Sequence, residues 1–227
     1  SAYGTAIKNP TFSERFGFYT NFIGNPNLKP EESTSWELGF DQELLSGDLI
    51  VSATLFDAEL ENEINGFVSD PGGNGFTSAN KEGASQRQGV ELSASGTLSD
   101  SLSLNAAYTY TDSVESDGAG GFKDEIRRPR HTASLNLAWQ VMENLHINTN
   151  AQYSGSQTDT FFPPWPASSE TVTLADYTLL NVNANYSASE KLDLYLRLDN
   201  LLDDDYEEVF GYQTLGFGAS FGLRYSL

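Results

Sequence analysis

The sequence predicts an all-β chain folded as an antiparallel transmembrane meander β-barrel, and three observations lead there. Segment after segment alternates apolar and polar residues with a period of two, as a strand with two unlike faces must. The connections between these segments alternate short and long. The 227 residues include 14 Phe, 11 Tyr and 20 Gly, a vocabulary of strands and turns rather than helices.

The elements follow in chain order. "SAYGTAIKNP" opens in what reads as the middle of a strand, a stub, and "SWELGFDQEL" sets Trp36, Leu38 and Phe40 on one side. "DLIVSATLFDAELENEI" is apolar at both parities around Leu49 to Phe56, so its facing stays open. From 90 to 98, Val90, Leu92, Ala94 and Leu98 oppose Glu91, Ser93, Ser95 and Thr97. Leu102, Leu104, Ala106, Tyr108 and Tyr110 oppose Ser101, Ser103 and Asn105; then Ala133, Leu135, Leu137 and Trp139 oppose Ser134, Asn136 and Gln140. Leu145, Ile147, Ala151 and Tyr153 oppose His146, Asn148, Asn150 and Gln152, and Leu180, Val182, Ala184 and Tyr186 oppose Asn181, Asn183 and Asn185. "LDLYLRLDN" sets Leu192, Leu194, Leu196 and Leu198 against Asp193, Arg197 and Asp199, and Phe217 to Leu227 close the chain in the same rhythm. Nine strands and the opening stub result.

Short turns at 44–48, 98–101, 140–144 and 187–191 join hairpins whose other ends are long polar segments, roughly 64–85, 112–129, 156–175 and 201–212. Segregation of loop length to opposite rims is the outer-membrane barrel pattern, with the short turns periplasmic. A strand of about 11 residues, tilted about 45°, covers roughly 25 Å, the height of the apolar band. Trp36, Tyr110, Trp139, Tyr153, Tyr186 and Tyr225 end the apolar stripes, where the interfacial aromatic girdles belong. The leucine rows therefore face lipid and the charged rows a wet or plugged lumen.

Composition narrows the function. The formal charge of −20 repels phosphate backbones and argues against nucleic acid. There are no cysteines, hence no disulfide framework, CxxC metal site or thiol nucleophile. No apolar run approaches the roughly 20 residues of a helical span. His131 and His146 lie in no HExxH, and no GxSxG elbow exists, so an enzyme is not expected.

Three stretches carry a resemblance. "GNPNLKPEESTSWELGF" (24–40) resembles the strand-opening motif of TonB-dependent outer-membrane receptors, "RRPRHTASLNLAW" (127–139) another barrel signature of that family, and "NLLDDDYEEVFGYQTLGFGASFGLRYSL" (200–227) its C-terminal strand pair. With "YGTAIKNPTFSERFGFY" (3–19) the match covers nearly the whole chain. The resemblance implies residues 1–227 as the C-terminal portion of a barrel of about 22 strands, without the N-terminal plug or TonB box. It implies active import of a metal chelate, with the inner-membrane TonB complex acting through the plug. "VFGYQT" and "NPNLKPE" look closest to the cobalamin receptors, while siderophore and haem receptors share the barrel motifs. A passive pore is the alternative from another class, although nine is an odd count for a bacterial single-chain barrel. The family's closing strand usually ends in an aromatic residue; here Leu227 stands last, with Tyr225 two before it.

Candidate site residues lie in the long loops. In "FFPPWPASSE", Phe161, Phe162 and Trp165 are stiffened by three prolines and suit a hydrophobic or planar ligand at little ordering cost. "DDDYEEVFGY" gathers five carboxylates; calcium takes several oxygen ligands, yet the run lacks spaced ligands and a turn glycine, so a solvated acidic loop is the leading reading. Tyr212 follows as a ligand contact by resemblance. Arg127, Arg128 and Arg130, three of 12 basic residues, read equally as a lipopolysaccharide phosphate site, a contact for an anionic ligand arm, or charge balance for Asp124 and Glu125. "SDPGGNGF" (69–76) reads as a flexible loop tip.

Overall fold

The computed structural model describes residues 1–117, 121–164 and 166–226. Trp165, an expected ligand contact, and Leu227, the closing residue, lie outside the described residues. In chain order the elements are β1 (Ala2–Lys8), helix α1 (Phe12–Phe16), β2 (Glu31–Leu44), β3 (Leu49–Glu61), β4 (Ile64–Ser69), β5 (Phe76–Asn80), β6 (Ala84–Ser99) and β7 (Leu102–Ser116). There follow β8 (Phe122–Asp124), β9 (His131–Met142), β10 (Leu145–Ser154), β11 (Gln157–Phe161), β12 (Glu170–Leu174), β13 (Tyr177–Ser189), β14 (Leu192–Asp199) and β15 (Gly218–Tyr225).

The large sheet runs β1-β2-β3-β6-β7-β9-β10-β13-β14-β15, with β8 attached to β7. This path is the expected stub followed by the nine expected strands. Its register explains the shared parity. Across β7, β9, β10, β13, β14 and β15 the opposed pairs are apolar with apolar: Leu104 with Leu137, Leu135 with Ala151, Ala151 with Leu180, Val182 with Leu198, Leu196 with Phe221. Directly opposed residues share a face, so these pairs merge into one apolar flank. A slip by one residue would turn any strand inside out.

The other flank carries amides. Asn105 opposes Asn136, which opposes Asn150, which opposes Asn181. Asn150 Nδ2 donates to Asn136 Oδ1 at 2.8 Å and Asn181 Nδ2 to Asn150 Oδ1 at 3.4 Å. The ladder extends to the long loop after β14, where the Asn200 N–H donates to Asn181 Oδ1 at 2.9 Å. Such a face is satisfied by hydrogen bonds and suits water or a polar plug, not hydrocarbon.

The long connections hold structure of their own, which periodicity did not announce. β4 pairs with β5 and β11 with β12 as separate two-stranded sheets. At five or six residues each, these strands are too short for a period to stand out. Thr158, Thr160, Thr171 and Thr173 still carried β-branched strand preference. "SDPGGNGF" forms the tip of the β4–β5 hairpin, where Asp70 Oδ2 accepts the Asn74 N–H at 3.1 Å. No helix among the described residues is long and apolar enough to cross a membrane.

The chain divides into two compact units. One comprises 1–38, 55–89 and 112–125; the other comprises 39–54, 90–111 and 126–227.

Candidate functional site

In the first unit, the segment 9–30 and the β4–β5 hairpin build an aromatic wall. Thr11 and Glu14 form a capping box for α1: Thr11 Oγ1 accepts the Glu14 N–H at 3.3 Å and Glu14 Oε2 accepts the Thr11 N–H at 2.6 Å. Gly17, at φ +77°, ends the helix and turns the chain toward Phe18. The Asn25 side chain donates to Ser78 O at 3.0 Å, and Asn80 exchanges hydrogen bonds with the backbone of Lys29, both of which fasten the segment to β5. The hairpin tip closes on it: the Phe76 N–H donates to Asn21 O and the Ile23 N–H to Phe76 O, each at 2.8 Å.

Five rings meet there. Phe18 lies 4.6 Å from Tyr19 and 4.7 Å from Phe22 between centroids; Phe22 lies 5.9 Å from Phe67, and Phe67 stacks on Phe76 at 4.3 Å. Phe22 is 4 % exposed and anchors the group, while Phe67 at 55 % and Phe18 at 63 % present their faces. Offset and edge contacts at these distances stabilise an aromatic cluster beyond its buried area. A surface of rings packed on one another can hold a flat or apolar ligand with little ordering cost. Sequence reasoning did not single out these residues. The available signal was aromatic density in "RFGFYTNF" and the two phenylalanines flanking the hairpin tip.

The same unit contains an ion network. Arg87 grips Glu125 in bidentate fashion, Nε at 3.0 Å and Nη2 at 2.7 Å. Lys81 pairs with Glu115 and, at 3.7 Å, with Glu63; Lys123 pairs with Glu115 at 3.2 Å. Ser85 donates to Glu63 and Ser113 to Glu125. Burial works against the charged ammonium of Lys81, but the hydrogen bond to Glu115 and the charges of Glu63, Glu115 and Glu125 hold it above the ordinary lysine value. The charges satisfy one another, a structural arrangement rather than a chemically poised one.

In the second unit, the Asp159 carboxylate is completely buried. Its Oδ1 accepts from Arg127 Nε at 2.9 Å and from the Thr160 N–H at 2.7 Å, while Oδ2 accepts the Phe210 N–H at 2.9 Å. Burial alone would push this carboxyl up; the Phe210, Arg127 and Thr160 hydrogen bonds, with the charge of Arg127, hold it below the usual carboxylate range. Beside it, Thr173, Leu174, Asp205, Tyr206, Glu207 and Phe210 line a cleft of about 450 Å³.

The expected contacts stand outside this lining. Phe161 ends β11 with its ring 5.1 Å from Phe210. Phe162 is 76 % exposed and Tyr212 73 % exposed, so each projects from its loop. Arg128 is exposed and has an interaction of its own, and Arg127 is committed to Asp159. The acidic run directs its carboxylates to separate donors: Asp203 accepts from the Phe217 N–H, Asp204 from the Thr178 N–H, Glu207 from the Gly211 N–H and Glu208 from the Tyr177 hydroxyl. Among the described residues no group of three or more His, Cys, Asp or Glu is gathered to hold a metal ion. His131 shares a 2.8 Å hydrogen bond with the Tyr108 hydroxyl.

Paired strands with one apolar flank, one amide-rich flank and long structured loops are built as part of a barrel of the outer-membrane type. The family described as TonB dependent receptor-like, beta-barrel matches residues 1–201. The chain belongs to that family, whose members are transport receptors, and is an integral protein of the bacterial outer membrane. Its fold is similar to the ferripyoverdine receptor of Pseudomonas aeruginosa, at 20 % identity and TM-score 0.75, over 98 % of this chain and 30 % of that one. It is similar to the siderophore receptor PiuA of Acinetobacter baumannii at 24 % identity and TM-score 0.73, over 98 % of this chain and 33 % of the other. The ferric-catecholate import receptor Fiu of E. coli matches at 20 % identity and TM-score 0.71, over 97 % and 31 %. The chain thus spans about a third of the length of these structures.

Proposed function

We propose that this chain is the ligand-capturing portion of a receptor that imports a ferric siderophore-type chelate, with energy delivered by the TonB complex through a plug. The observation that carries this reading is the aromatic wall of Phe18, Tyr19, Phe22, Phe67 and Phe76, whose rings hold one another in place. Chelates built on planar aromatic groups match it in shape, and ring stacking supplies affinity without a covalent step. The role is capture and transport, not turnover. Siderophore receptors among the similar folds support the same ligand class.

A corrinoid ligand is the second reading, favoured by "NPNLKPE" and "VFGYQT". Lipopolysaccharide phosphate remains a proposed partner of Arg128 and Arg130, and calcium a proposed ion for the acidic loops; hydrocarbon lipid would cover the leucine rows. The test is a fluorescence titration of the intact receptor with ferric pyoverdine, ferric enterobactin, haem and cyanocobalamin. Saturable binding of a ferric siderophore that weakens in Phe67→Ala is expected. Binding of cyanocobalamin alone would transfer the assignment to the corrinoid reading.

A further inference from the structure

β11 presents one face to the last long loop. Gln157, Asp159 and Phe161 alternate along the strand and so share a side. Gln157 Nε2 donates to Glu208 O at 3.2 Å, Asp159 Oδ2 accepts the Phe210 N–H at 2.9 Å, and the Phe161 ring lies 5.1 Å from that of Phe210. Arg127 reaches the same carboxylate from the segment before β9, and its own N–H donates to Thr158 O at 2.8 Å. Arg127 adopts φ +56°, a left-handed conformation that a side-chain-bearing residue keeps only when its surroundings enforce it. One buried carboxylate therefore ties three segments distant in sequence, and the residue it fixes, Phe210, is a wall of the 450 Å³ cleft.

We propose that Asp159 is a positioning residue for ligand capture, one that acts through Phe210: its carboxylate fixes the Phe210 backbone against β11 and so holds the cleft in its receptive shape. The inference rests on the receptor reading above. A buried charge with all its hydrogen bonds made favours a single arrangement over many. Replacing it with an isosteric amide keeps the volume but turns one acceptor into a donor that meets the donors of Arg127 or Phe210.

The test uses the intact receptor, with Asp159→Asn, Phe210→Ala and the double variant titrated against the four chelates named above. A chelate bound by the wild type is expected to bind Asp159→Asn on the order of 10- to 100-fold more weakly, the scale set by small misplacements of a contact. The double variant is expected to bind no more weakly than the weaker single one, since both changes remove the same contact. In uptake assays the apparent KM rises while the maximal rate per folded receptor stays constant. Amide exchange at 208–212, measured without ligand, accelerates in Asp159→Asn. Unchanged affinity, additive losses, or a lower maximal rate at constant KM would overturn the proposal. If Asp159→Asn fails to fold, Arg127→Gln withdraws the guanidinium that holds the other oxygen of the carboxylate and is expected to weaken binding in the same direction; unchanged affinity there would overturn the proposal. A wild type that binds none of the four removes the receptor reading and this inference with it. Wild-type binding with an undisturbed variant removes the inference alone.

Discussion

The Asp159 carboxylate accepts the Phe210 N–H at 2.9 Å across 51 residues of chain. Because its carboxyl is held below the ordinary range, the folded loops bind fewer protons than the unfolded ones there. Stability from this contact is fully present above the ordinary carboxyl value of about 3.9 and is lost as pH falls through the lower folded value. Amide protection at 208–212, corrected for the pH dependence of intrinsic exchange, is expected to stay constant from pH 7 to about 5 and to fall only in acid below about 4. Asp159→Asn is expected to remove the part of that acid response read at the Phe210 amide.

The two flanks of the wall respond oppositely to charge. Leu196 sits among Ala184 and Phe221 on the apolar flank. Leu196→Arg is expected to cost about 2–4 kcal/mol, the cost of arginine at the bilayer midplane. Asn148→Arg, on the amide flank beside Asn183, is expected to be near neutral. Unfolding from lipid vesicles in denaturant measures both, and equal costs would mean that the apolar rows do not meet lipid.

Within the aromatic wall, anchor and face separate by burial. Phe22→Ala empties a site that is 4 % exposed and is expected to cost about 3–5 kcal/mol of local stability. Proteolysis in the 9–30 segment would report it. Phe67→Ala loses mainly its stack on Phe76, about 1 kcal/mol, yet is expected to weaken ligand binding about tenfold. Titration beside proteolysis distinguishes the two.

The hairpin tip offers a paired test. Gly75 sits at φ +122°, and a Cβ there would lie 2.3 Å from Asn21 O, whereas Gly73 at φ +73° has nothing within 4 Å. Gly75→Ala is expected to cost at least about 1–3 kcal/mol and to detach the hairpin from segment 9–30. Gly73→Asn is expected to be nearly silent, since Asn tolerates that conformation. Exchange rates at the Phe76 and Ile23 amides read the difference.

Strand content, parity and loop rhythm were legible in the sequence because they are local: the period of two in "LDLYLRLDN" is a property of adjacent residues, whatever pairs with them. The nine wall strands and the opening stub stand where alternation puts them. The β4–β5 and β11–β12 hairpins were not legible, being too short to repeat a period. The candidate site divides along the same line. Phe161 stood out in its dense aromatic loop, whereas Phe210, whose ring lies 5.1 Å from it, sat inside an acidic run. Phe22, Phe67 and Phe76 meet because hydrogen bonds join segments separated by more than 50 residues, and Asp159 became a keystone because Arg127 and Phe210 arrive from either side in sequence. No local pattern encodes such meetings; they arise when chain closure brings donors and acceptors to one buried point, and only the tertiary structure decides where that point lies.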